Sequence, residues 1–207
     1  MSDSIKVFGN VGSPYTQKIL ALLRYRNISY TVSWGDVVQN LSLLDVDPPK
    51  PVLLPTMVFS NGDNKKIAKT DTTPIIRELE DIYENKSVIP LSPVLNFLNY
   101  LLEDFADEWT TKYMFHYRWH FDEDAKNAKK MLVLQHKINI DDESMKQFSD
   151  IIANRQINRL WVVGSNSDTA NLIDQSYKRY LSLMEKHLKY LPFMFGQRPS
   201  SSDFALY

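Results

Sequence analysis

The sequence predicts a small α/β domain followed by an all-helical domain. Two observations carry this. The chain opens as strand, helix, strand, with a helix start at Ser13-Pro14, and its apolar spacing turns helical throughout after Ile89-Pro90-Leu91-Ser92-Pro93. At 207 residues the chain can bury one core or two small ones. With 43% hydrophobic and 24% charged residues it has the make-up of a globular protein.

Ile5-Lys6-Val7-Phe8-Gly9-Asn10 alternates apolar and polar residues and reads as a strand. Ser13 then reads as an N-cap and Pro14 as the first helical position, ahead of Ile19, Leu20, Leu22 and Leu23. Residues 28–34 return as a second strand, and the strand–helix–strand unit requires a right-handed crossover and a parallel pair. Pro48, Pro49, Pro51 and Pro55 forbid a long helix from Asp45 to Pro55. Thr56 to Phe59 is a short strand, Asn61-Gly62-Asp63-Asn64 a hairpin turn, and Lys65 to Ala68 the returning strand. Thr70 to Glu84 reads as a helix. Domains are expected at 1–86 and 93–207. In the second, one long helix is expected over 94–121, then helices over 123–136, 144–161 and 168–191, with Gly164 a stop between the last two. A capping box at Ser200 announces a helix about two turns before Tyr207, where the sequence ends.

The formal net charge is −1, which gives no general electrostatic reason to expect nucleic acid or an anionic membrane as partner. There are no cysteines, so disulfides, cysteine-ligated metals and dithiol redox chemistry are excluded. The polar start lacks the apolar core of a signal peptide, and no apolar run reaches the roughly 18 residues of a membrane span. A cytoplasmic protein is expected.

Four segments, in order, resemble the glutathione transferase family. Ser13-Pro14-Tyr15-Thr16-Gln17-Lys18 is similar to its active-site turn. Leu53-Leu54-Pro55 is similar to its cis-proline corner. Asp71-Thr72-Thr73-Pro74-Ile75-Ile76 is similar to the acidic-hydroxyl pair opening its third helix. Phe195-Gly196-Gln197-Arg198-Pro199-Ser200-Ser201-Ser202-Asp203 is similar to its C-terminal capping box. The resemblance covers residues 5–90 well and parts of 93–121 and 155–207. It implies a thioredoxin-like N-terminal domain with an all-α C-terminal domain, and glutathione as co-substrate without a metal. It also implies a small hydrophobic electrophile and a homodimer. Family members usually continue beyond a helix like the one announced at Ser200, so the C-terminal domain is expected to be shortened, with apolar surface left exposed or shared with a partner.

The implied roles make physical sense. A helix N-terminus favours a thiolate, and a hydroxyl at Ser13 can donate to the same sulfur, so the glutathione thiol ionises more readily. Pro55, if cis, offers the backbone of Leu54 to the ligand's peptide groups. Asp71 and Thr72 face the ammonium and carboxylate of the γ-glutamyl end. Tyr15 and Asn10 are further polar groups near the sulfur. Many relatives that perform thiol transfer carry cysteine where Ser13 stands, and serine cannot form their mixed disulfide.

Each residue also has a plainer reading. Ser13 can be an ordinary cap, Pro55 a strand-edge proline, Thr72 an N-cap and Asp71 a dipole partner. Ser200 and Asp203 read as structural in either case. His116 and His120, spaced i, i+4, share a helical face without completing a metal-site pattern. Phe105, Trp109, Tyr113 and His116, with Tyr15, are candidates for an electrophile pocket in a cleft between the domains, or alternatively interdomain core. Glu103, Asp104, Asp107 and Glu108 read as a solvated or dimer-facing helix surface. Three functions stay open: a glutathione transferase, a non-catalytic protein of the same fold acting as a binding module, or a glutathione-dependent isomerase or dehalogenase that shares the same site.

Overall fold

The computed structural model describes residues 4–60, 65–135 and 139–206. Four strands, β1 (Ile5–Gly9), β2 (Tyr30–Trp34), β3 (Thr56–Ser60) and β4 (Lys66–Thr70), form one sheet in the order β2-β1-β3-β4. β1 runs parallel to β2 and antiparallel to β3, and β3 is antiparallel to β4. The parallel pair is the one the strand–helix–strand opening required. The crossover is α1 (Pro14–Tyr25), which starts where the Ser-Pro pair places it. The expected hairpin turn Asn61-Gly62-Asp63-Asn64 lies outside the described residues.

Both faces of the sheet are covered, as the apolar run Val7-Phe8 requires. Val7 and Met57 are register partners on one face, each fully buried. Ile19, Leu22 and Leu23 of α1 and Ile75, Ile76 and Leu79 of α3 (Thr72–Ile82) are buried too, and the two helices touch. On the other face, Phe8 and Val58 pack with Val37 and Leu41 of α2 (Val37–Ser42) and with Val46. The sequence reading did not foresee α2. Its start has a legible signal, because Asp36 caps it by accepting the N–H of Gln39 at 2.8 Å.

Arg26 closes this unit at the end of α1. Its fully buried guanidinium pairs with Glu80 at 2.7 Å and donates to the carbonyls of Asn85 and Tyr83. Glu80 also accepts the N–H of Val88 and the hydroxyl of Ser87. Burial lowers the pKa of Arg26 and the carboxylate of Glu80 acts against that shift.

The chain divides into two units, up to Pro90 and Leu91–Leu206. The second is helical: α4 (Pro93–Phe105), α5 (Thr111–Trp119), α6 (Asp122–Leu134), α7 (Asp142–Ile157), α8 (Ala170–Leu188) and α9 (Ser201–Leu206). The long helix expected over 94–121 is an uninterrupted helical run from Pro93 to Trp119, with a π-helical turn at Ala106–Thr110 joining α4 to α5. The hydroxyls of Thr110 and Thr111 bond back to the carbonyls of Ala106 and Asp107, a competition that loosens the regular ladder. α6 lies on α7 through Trp119, Ala125, Ala128 and Ala153. A short 3₁₀ turn, Leu160–Val163, ends at Gly164, whose φ of +70° is the left-handed conformation glycine adopts most easily.

α9 docks on α4 by polar groups. Asn99 donates to the Ser201 hydroxyl at 2.8 Å, which donates to Glu103 at 2.7 Å, and Ser202 N–H donates to Asn99. Glu103, expected on a solvated helix face, is 1% exposed and belongs to this network. Half of the capping box expected at Ser200 forms: Asp203 accepts both the N–H and the hydroxyl of Ser200, while its own N–H goes to the Ser200 carbonyl. Among the described residues, no helix is long and apolar enough to cross a membrane.

Candidate functional site

Strand register brings three of the singled-out segments to one end of the sheet. Phe8 is paired with Thr56, and Thr56 is paired with Thr70. One row therefore crosses β1, β3 and β4, and each neighbouring loop leaves from it. Asn10 to Ser13 follows β1, Leu53 to Pro55 precedes β3, and Asp71 follows β4. The Thr56 hydroxyl donates to the Leu53 carbonyl at 2.8 Å, and the Thr70 hydroxyl donates to the Pro55 carbonyl at 3.4 Å. The proline corner is thus tied to the residue before the α3 cap. The Leu54–Pro55 peptide is cis, as is Lys50–Pro51.

Ser13 has extended backbone and caps α1, its oxygen accepting the N–H of Thr16 at 3.3 Å. That bond uses a lone pair of the oxygen, and the hydroxyl proton takes no part in it. No acidic residue stands in the first turn of α1, so no side-chain charge of that turn offsets the positive end of the helix. The loop before it is held by the Ser13 N–H on the Asn10 carbonyl at 3.0 Å and by Gln17 on the Val11 carbonyl at 2.8 Å. A Cβ at Gly9 would lie 2.5 Å from the Thr16 side chain, so only glycine lets the first turn of α1 approach the end of β1 this closely.

Asn10 is 6% exposed, and its side-chain oxygen is buried without a hydrogen-bond partner. An unsatisfied buried acceptor costs roughly 1–3 kcal/mol unless a ligand or water completes it. Asp71 is exposed, with φ +74°, and caps α3 by accepting the Thr73 N–H at 3.1 Å. Asp71, rather than Thr72, is therefore the N-cap. Thr72 is 3% exposed. Tyr15 is half-buried in the first turn of α1.

The remaining candidates lie in the helical unit. Tyr113 shares a hydrogen bond with Ser176 at 2.8 Å, and its ring meets Tyr177. Phe105 packs against Tyr180. Trp109 is 56% exposed, with Lys112 over its ring at 4.1 Å. His116 is fully buried, its Nδ1 bonded to Ser165 at 2.8 Å and its ring stacked on His120. Its Nε2 is buried without a hydrogen-bond partner. Burial, then the neighbouring His120, lower its pKa, and Asp174 acts in the opposite direction. Among the described residues, no group of three His, Asp or Glu is placed to hold a metal ion.

Residues 7–87 match the family described as glutathione S-transferase, N-terminal domain. No curated protein matches the chain in sequence. Solved structures with the same fold include beta-etherase LigF from Sphingobium sp. strain SYK-6, with a TM-score of 0.65 at 15% identity over 98% of this chain and 80% of that one. FzlA from C. crescentus aligns with a TM-score of 0.61 at 14% identity, over 98% of this chain and 74% of that one. The glutathione transferase URE2P6 from Phanerochaete chrysosporium, in complex with oxidized glutathione, aligns with a TM-score of 0.54 at 11% identity, over 98% and 76%.

Proposed function

We propose that this chain, whose residues 7–87 match the family described as glutathione S-transferase, N-terminal domain, binds glutathione and activates its thiolate for attack on a small electrophile. The observation that carries the reading is the row Phe8–Thr56–Thr70, which gathers Ser13, Leu54-Pro55 and Asp71-Thr72 at one end of the sheet. The residues present fit a small thiol peptide: a hydroxyl proton at a helix start, an exposed carboxylate at Asp71, and an orphaned acceptor at Asn10.

In this reading the Ser13 hydroxyl donates to the sulfur and the N-terminus of α1 favours its negative charge. Both interactions stabilise the thiolate over the thiol, so the proton leaves to solvent nearer neutral pH. Leu54 offers its backbone N–H and C=O to the ligand's peptide groups. Asp71 holds the γ-glutamyl ammonium, and the start of α3 at Thr72 receives the carboxylate. Ser13 is a donor throughout, and the attacking atom is the ligand's sulfur.

Calorimetric titration with millimolar glutathione tests binding, with one site per chain as the expected outcome. No heat of binding rejects the reading. Binding without turnover on a panel of electrophiles assigns the chain to the non-catalytic alternative. A homodimer is part of the same proposal, supported by the exposed apolar residues Val94, Phe97, Tyr100 and Leu101 on α4. Light scattering at micromolar concentration is expected to give twice the chain's mass.

A further inference from the structure

The order of the strands sets the direction in which a bound thiol peptide runs. Across the sheet they stand β2, β1, β3, β4, and at the end where Gly9 is paired with Trp34 and Phe8 with Thr56 each brings one segment. Trp34 ends β2, Ser13 follows β1, Leu54-Pro55 precedes β3 and Asp71 follows β4. With the cysteinyl backbone at Leu54 and the γ-glutamyl end at Asp71, the amino end of the ligand lies on the β4 side. An extended peptide leaves a residue in opposite directions. The ligand's carboxyl end therefore heads away from β4, towards β2 and the segment that follows it.

That segment opposes a carboxylate. Between Arg26 and Lys50 the chain carries Asp36, Asp45 and Asp47 and no lysine or arginine. All three carboxylates are on exposed residues. Asp45 and Asp47 flank Val46, which packs with Val37 and Leu41 of α2 and with Phe8, and this fixes the pair at the site's end of the sheet. The first turn of α2 is no alternative receptor, because Asp36 already caps it by accepting the Gln39 N–H. The cations of α1 are committed elsewhere. Lys18 is 2% exposed and has its own partner, Arg24 donates to Tyr30 at the opposite end of β2, and Arg26 pairs with Glu80. Lys50 is the one lysine or arginine between Arg26 and Lys65, set against three carboxylates.

We propose that the site prefers a γ-glutamylcysteinyl thiol whose carboxyl end is masked and uncharged over free glutathione. This preference presupposes the thiol site at Ser13 and adds its specificity. Bringing the glycyl carboxylate towards Asp36, Asp45 and Asp47 costs binding free energy, and masking it removes that cost while the thiol, cysteinyl and γ-glutamyl groups stay as they are.

The test is calorimetric titration of the full chain with glutathione and, separately, with glutathione amide, in which the glycyl carboxylate is a carboxamide of nearly the same shape. At low ionic strength the amide is expected to bind about fivefold more tightly. Raising the salt is expected to narrow that ratio, because screening acts on exposed charges. Asp45→Asn with Asp47→Asn is expected to narrow it as well and to leave binding of the amide unchanged. Both side chains are exposed, and asparagine tolerates the φ of +56° at Asp45, so the variant keeps its fold. Glutathione bound as tightly as the amide, or more tightly, overturns the proposal and leaves the thiol site standing, and a loss of glutathione binding in Lys50→Gln then identifies Lys50 as the carboxylate's partner. A preference for the amide that neither salt nor the double variant alters also overturns it. If neither thiol binds, the thiol site falls and this specificity with it.

Discussion

The Ser13 oxygen accepts the N–H of Thr16 at 3.3 Å, so this residue caps α1 with a lone pair and keeps its proton for another acceptor. Capping and thiolate stabilisation are therefore compatible in one side chain, and they can be separated. Ser13→Ala removes both, and is expected to cost about 1 kcal/mol of stability and to lower glutathione-dependent turnover by about a hundredfold. Ser13→Asn restores a cap without a hydroxyl. It is expected to recover the urea midpoint and not the turnover.

Asp71 combines a cap with an exposed charge. Asn tolerates its positive φ and caps equally well, so Asp71→Asn isolates the charge. The variant is expected to unfold at the wild-type midpoint and to bind glutathione about tenfold more weakly, the scale of a lost charge-assisted contact. Calorimetry and urea unfolding on the same sample check both halves.

Arg26 and Glu80 form a buried pair that joins the end of α1 to α3 and the segment after it. Arg26→Ala leaves the Glu80 carboxylate without its partner and is expected to destabilise by about 3–5 kcal/mol. Lys126, in an exposed i, i+3 pair with Glu123, is the contrasting case. Its replacement by alanine is expected to leave the unfolding midpoint unchanged.

His116 gives the stability a pH dependence. Its folded pKa lies below the ordinary imidazole value, because burial and then His120 disfavour the charged ring, against the pull of Asp174. Below about pH 6.5 the unfolded chain takes up the proton more readily than the folded one, so stability is full above that pH and falls as pH drops through it. Tyr117, beside His116, donates to Asp174, and burial followed by that bond pushes its phenol up to about 12, so it stays protonated throughout this window. Urea midpoints at pH 5 and pH 7 are expected to differ in that direction, and His116→Asn to reduce the difference.

The N-terminal half was legible because its determinants are local. Ser13-Pro14 marks the helix start, the alternation of residues 5–10 marks β1, and Pro55 sits where β3 begins. Ser200 and Asp203 were legible for the same reason, as residues three apart in a capping box. The helical half hid more. Glu103 is buried by Ser201, almost a hundred residues away, and His116 by Ser165, and no local pattern reports either contact. The π-helical turn after Phe105 goes with the hydroxyls of Thr110 and Thr111 bonding back along the chain, a weak signal inside a strongly apolar stripe. In the site, residue types suggested Asp71 and Thr72 as a pair, and only the backbone distinguishes the exposed cap from its buried neighbour.

The central claim is that the start of α1 stabilises a thiolate. Ultraviolet absorbance of the thiolate, followed against pH with glutathione bound, measures it directly. The wild-type complex is predicted to titrate below the free thiol's value of about 8.5, and the Ser13→Ala complex closer to it. A bound thiol that titrates like free glutathione in both proteins would contradict the account.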